Sequence, residues 1–162
     1  MPSNLQTVDQ VDLQRYVGKW YEIARMPNRF EKMCDRDVVA EYAMRGGVIS
    51  VRNTCVRRNG NSTMAKGTAK VVDERTGAKL KVTFFWPFYG DYWIIGLDPG
   101  YRWALVGEPK RRYLWVLSRT PSLAKDASAM IEKKMVECGY DPAMVVRTRQ
   151  TSAEDGEISG GV

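Results

Sequence analysis

The chain has 162 residues, a net charge of +6 at pH 7 and no histidine; 44% of its residues are hydrophobic and 10% aromatic. That is one domain with a sizeable core, and no apolar run approaches the roughly 20 residues of a helical membrane span. Without histidine, the commonest metal ligand and the commonest general base near neutral pH are both missing, so no metal, no cofactor and no catalysis is expected.

Met1 to Gln10 is polar and carries no export signal of its own. The expectation is a cytoplasmic chain or one whose leader has been removed. A first strand is expected over 18–25. Gly18 lets the chain bend into it, and Trp20, Glu22 and Ala24 share one parity. Further strands are expected over 38–44, 48–56, 67–72, 79–85, 92–97, 102–107 and 113–118. Arg45-Gly46-Gly47 makes a tight hairpin between the second and third. Asp73 to Ala78, with Gly77, turns between the fourth and fifth.

The period then changes. Thr120-Pro121-Ser122 offers a cap and a first-turn proline; Leu123, Ala127, Met130, Ile131 and Met135 recur at helical spacing; Gly139 offers a stop. A helix is expected over 122–138, packed on the outside of the sheet. Met144 to Val146 suggests a last short strand. Residues 1–150 form the domain, and 151–162, rich in glycine and acidic residues, a flexible tail.

Short sequential strands followed by one helix fit an eight-stranded up-and-down antiparallel barrel with room for one small ligand, an all-β sandwich being the alternative. If the first strand starts at the floor, alternation of direction puts the 26–37, 57–66, 85–91 and 107–112 loops at the mouth. Basic residues outnumber acidic ones in those loops. Phe30, Met33, Arg57, Arg58, Trp86, Phe88, Tyr89, Lys110, Arg111 and Arg112 lie there, a mixture suited to a lipid or an anionic membrane surface. Strand parity supplies the cavity wall: Ala40, Tyr42, Ile49, Val51, Asn53, Ala69, Val71, Leu80, Val82 and Phe84. Of three cysteines, Cys55 falls opposite about position 38 in the hairpin. Cys34 comes within reach if the chain curls back at 35–37, so a Cys34–Cys55 disulfide with Cys138 unpaired is expected.

Gly18-Lys19-Trp20, the turn at Leu97-Asp98-Pro99, and Leu117-Ser118-Arg119 follow one another at barrel spacing. Together they resemble the three signature regions of the lipocalins, most of all the bacterial outer-membrane group related to apolipoprotein D. The similarity runs from about Val11 to Val146. The second motif departs from the family triplet, keeping only its Asp. The resemblance implies a floor built on Gly18, Trp20, Asp98 and Arg119, with the guanidinium stacked on the indole. It implies a carrier, not an enzyme, for a small hydrophobic ligand such as a fatty acid or (lyso)phospholipid, in the periplasm or at the outer membrane. It also implies a rival disulfide, Cys34–Cys138; three free thiols are the remaining alternative. A tetrapyrrole carrier, or an enzyme on a lipophilic substrate, are the other functional alternatives. No nucleic-acid partner is expected, and the chain is taken as a monomer or weak homodimer.

Overall fold

The computed structural model describes residues 4–85 and 88–153. Trp86, the Phe88 side chain and the tail beyond Ala153 therefore lie outside the described residues. A one-turn helix, α1 (Leu13–Tyr16), is capped by the Asp12 carboxylate, which accepts from Gln14 N at 3.1 Å. It leads into β1 (Gly18–Arg25) through Gly18 at φ +109°. β2 (Arg36–Arg45) and β3 (Val48–Val56) are joined by Gly46 and Gly47 at φ +53° and +91°. A two-residue hairpin matched to strand twist needs positive φ at both positions, which explains the glycine pair.

The meander continues through β4 (Ser62–Val71), β5 (Lys79–Phe85), β6 (Phe88–Leu97), β7 (Trp103–Gly107) and β8 (Leu114–Ser118). β8 and β2 both pair with β1, so the eight strands close into an antiparallel barrel. β4 and β6 start earlier than their apolar alternation suggests. Backbone pairing, Val56 with Ser62 and Phe85 with Phe88, carries them beyond the alternating runs.

α2 spans Lys125–Glu137 and packs Ile131 and Met135 on the outside of the barrel, against Leu105, Leu114 and Val116. It begins three residues later than expected. Thr120 Oγ1 donates to Ser122 O at 2.7 Å inside the preceding turn, so it does not cap the helix. Met130 is 56% exposed and leaves the expected apolar stripe; Ala127, Ile131 and Met135 at every fourth position suffice. Past Gly139, at φ +85°, Tyr140 N reaches Met135 O and Gly139 N reaches Val136 O, the paired bonds of a Schellman stop.

A ninth strand, β9 (Val146–Arg147), pairs with Ala24 and Arg25. The chain beyond it fills the gap where β1 and β2 diverge toward the mouth. Asp37 N donates to Arg149 O, and the Gln150 amide donates to both Glu22 O and Val38 O. Thr151, expected in the loose tail, is held by Asp37 through its amide and hydroxyl.

Candidate functional site

The floor is a closed polar and aromatic assembly. Trp20 is fully buried, donates its indole N–H to Tyr16 O at 2.7 Å, and carries the Arg119 guanidinium 3.8 Å above its ring. Arg119 also donates to the carbonyls of Arg15, Tyr16, Lys19 and Tyr101, so one side chain ties α1, β1 and the β6–β7 turn together. Gly18 is required beside it, because an added Cβ would sit 3.3 Å from the guanidinium on a positive-φ backbone. Asp98 accepts from the Arg102 amide and guanidinium, which hold its carboxyl below the usual range.

Above the floor lies a layer of tyrosines. The Tyr16 and Tyr92 hydroxyls are 2.7 Å apart, and Tyr92 donates to Tyr42 at 3.0 Å. Burial raises all three phenols, Tyr42 to about 12. With Ile49, Ala69, Leu80 and Val82 they leave a cavity of about 10 Å³, about the space one water needs.

Every expected wall residue from Ala40 to Phe84 belongs to an inward-facing parity. Ile49, Val51, Ala69 and Leu80, however, are closed packing with Tyr42, Val71 and Val82 against them. Nearer the mouth the same inward parity is less buried. Ala40, Asn53 and Ala65 are register partners on one face, and Ala65 is exposed although it points inward. A Cβ on Gly67 would collide first with the Thr83 carbonyl and then, at 2.8 Å, with the Phe84 ring, so glycine leaves room for both.

The inner wall near the mouth also holds charges, of which strand parity marks only Glu22. β1 has a bulge between Glu22 and Ala24, which brings Arg25, instead of Ala24, opposite inward-facing Trp115. Arg25 Nη1 lies 2.7 Å from Glu22 Oε2 and 3.2 Å from Glu31 Oε2. The Trp115 indole donates to Glu31 Oε1 at 2.6 Å, and Thr148 donates to Glu22. Burial and the neighbouring Glu31 carboxyl push the Glu22 carboxyl well up. Glu22 shares the parity of Trp20, a signal the sequence does hold. Nothing local marks the bulge that turns Arg25 inward.

At the rim, Asn28 caps a 3₁₀ turn over Arg29–Glu31 that points Glu31 inward and leaves Phe30 62% exposed. Phe30, Tyr113 and Trp115 form a ladder with centroid spacings of 5.8 and 5.9 Å. Met33 and Tyr89 are exposed. A disulfide joins Cys34 to Cys55, with Cα atoms 5.6 Å apart, and Cys138 is free and buried, so the Cys34–Cys138 and three-thiol alternatives fall away. Arg57, Arg58, Lys110 and Arg112 are exposed. Arg111 is a correction. At φ +56° its side chain turns back, and Nε donates to Cys138 O at 2.7 Å, at the end of α2. The loop turns this way because the buried Glu108 carboxylate gathers the amides of Lys110, Arg112 and Tyr113. Among the described residues, no group of His, Cys, Asp or Glu is placed to hold a metal.

A family model described as a lipocalin-like domain matches residues 11–150. Temperature-induced lipocalin-1 of Arabidopsis thaliana is 37% identical over 156 residues, covering 91% of this chain and 83% of that protein. Outer membrane lipoprotein Blc of Escherichia coli K12 is 38% identical over 151 residues, covering 92% and 85%. Among solved structures, insecticyanin of the tobacco hornworm Manduca sexta superposes with a TM-score of 0.75 at 21% identity, covering 91% and 85% of the two chains.

Proposed function

The chain belongs to the lipocalin family, which makes it a non-enzymatic binding protein for a small hydrophobic ligand, and we propose that this ligand is a single-chain lipid, a fatty acid or lysophospholipid, held with its head toward the mouth. The observation that carries this reading is the contrast across the tyrosine layer. At that layer the cavity the tyrosines line is only about 10 Å³; nearer the mouth a residue of inward parity, Ala65, is open to solvent. The open half is ringed by Phe30, Met33 and Tyr89 and by the exposed cations Arg57, Arg58, Lys110 and Arg112. Apolar side chains take the acyl chain, and the cations take a phosphate or carboxylate at the rim or on an anionic membrane.

The setting proposed is the bacterial envelope, periplasm or outer membrane. Two features support it: a relative at 38% identity named an outer membrane lipoprotein, and the Cys34–Cys55 disulfide, which suits an oxidising compartment better than a reducing one. The direct test is displacement of a fluorescent fatty acid from the purified protein, together with mass spectrometry of copurified lipid. Displacement by fatty acid or lysophospholipid is the expected result; failure of every acyl lipid to displace the probe overturns the reading.

A further inference from the structure

We propose that the Glu22–Arg25–Glu31 cluster on the inner wall is a subsite that reads a neutral hydroxyl on the bound lipid; this rests on the lipid-binding reading above. Side chains from two different segments build the cluster, and Trp115 and Thr148 fix its outer atoms. Two buried atoms in it are left over. Among the described residues Arg25 Nε has no acceptor, and Glu31 Oε2 has the Arg25 Nη1 ion pair at 3.2 Å but no hydrogen bond. A third buried atom without a partner, Asn53 Oδ1, belongs to the same inward-facing wall, on β3. A buried donor and a buried acceptor left unmade are costly, so the cluster is complementary to a group that does both jobs.

The chemistry separates the candidates. A hydroxyl accepts from Arg25 Nε–H and donates to Glu31 Oε2. An ester carbonyl satisfies only the arginine. A carboxylate also satisfies the arginine, but it adds a third carboxyl to the pair formed by Glu22 and Glu31. That pair already crowds one guanidinium, and burial pushes the Glu22 carboxyl up. A cationic head would place its donors against Arg25. A proton held between Glu22 and Glu31 leaves lone pairs on Oε2, so the hydroxyl fits in either state. Sites built to bond a hydroxyl discriminate strongly against analogues that lack one.

The test is competition against a fluorescent fatty acid by four lipids of one chain length: a primary alcohol, a 1-monoacylglycerol, a methyl ester and a carboxylate. The expected result is that the alcohol or the monoacylglycerol outcompetes the ester about tenfold or more. Which of the two does so tells whether the hydroxyl comes from a chain end or a glycerol. Glu31→Gln removes the acceptor and Arg25→Lys removes the Nε donor while keeping its charge. Each variant, checked for folding by its thermal melt, should bring the hydroxyl preference below about threefold without weakening the ester. If ester and alcohol compete equally in the unmodified protein, or if the carboxylate is preferred and that preference is lost in Arg25→Lys, the hydroxyl subsite is overturned while lipid binding stands. If no lipid displaces the probe, both readings fall.

Discussion

The two ends of the barrel use similar residue types to opposite effect. At the floor, Trp20 and Arg119 are locked together, and Arg119 makes four bonds to backbone carbonyls. Near the mouth, Trp115 and Arg25 meet through Glu31, and among the described residues Arg25 Nε has no acceptor. The floor arginine bonds carbonyls of α1, β1 and the β6–β7 turn, with no carboxylate in contact among the described residues. The mouth arginine has two carboxyls and still lacks a bond. A closed end needs every buried polar group satisfied from within. An end that receives something from solvent can leave groups unsatisfied until it arrives.

The largest break in that contrast is expected at the floor. Trp20→Ala should cost about 3–5 kcal/mol, the usual range for truncating a buried tryptophan, read as a fall in Tm. A melt that barely moves would mean the floor does not depend on it. The disulfide comes next. It ties the segment beneath Phe30 and Met33 to β3 across a separation of 21 residues. Replacing Cys34 and Cys55 together by Ser should cost about 2–4 kcal/mol in a denaturant titration. The added expectation is faster loss of bound fluorescent fatty acid, which Trp20→Ala variants still folded at low temperature should not show.

Smaller effects sharpen the same contrast. Lys110→Glu with Arg112→Glu should weaken sedimentation with anionic vesicles at low salt by about fivefold or more per residue, and the loss should fade as salt is added. Arg45→Glu with Arg75→Glu, at floor turns, should do much less. Arg111→Glu should act instead on the melt, because its Nε holds the end of α2. Equal vesicle effects from rim and floor would reduce the rim charges to a solvated surface.

The finest test is pH, where the two ends should respond with opposite sign. Asp98 is held below the usual carboxylate range by Arg102. Its contribution is present above the ordinary carboxylate pKa and lost as pH falls through its folded value. Glu22 is pushed up by burial and by Glu31. Its contribution is complete below the ordinary value and lost as pH rises through the folded one. Urea midpoints across pH should therefore show the unmodified protein losing its advantage over Asp98→Asn in acid, and over Glu22→Gln toward alkali. Parallel pH profiles for the two variants would erase the distinction.

Much of the frame was legible in short sequence. Gly46-Gly47 sets a hairpin because two adjacent positive-φ positions admit little else. Period-2 alternation put the expected wall residues of β2 and β3 on the inward face, since β2 between Val39 and Arg45 and all of β3 run without a bulge; in β5 the register with β6 shifts between Val82 and Phe85, and Phe84 still packs on the inner core. The disulfide followed from counting residues back from that hairpin. The starts of β4 and β6 were not legible, because backbone pairing with a neighbour, and not their own side chains, extends them.

What the sequence by itself determined is thus the strand order, the closed end and the inward parity, all properties of residues a few positions apart. What only the tertiary structure decided is which inward residues are packed shut and which charges face the interior. Ile49 and Ala65 both face inward; Ile49 is buried under the tyrosine layer and Ala65 lies open. The bulge that turns Arg25 inward, the insertion of Glu31 beside it, and the retreat of Arg111 to the end of α2 each depend on partners far away in the chain. Burial and charge pairing are set by what arrives from elsewhere in the fold, and no local period records that.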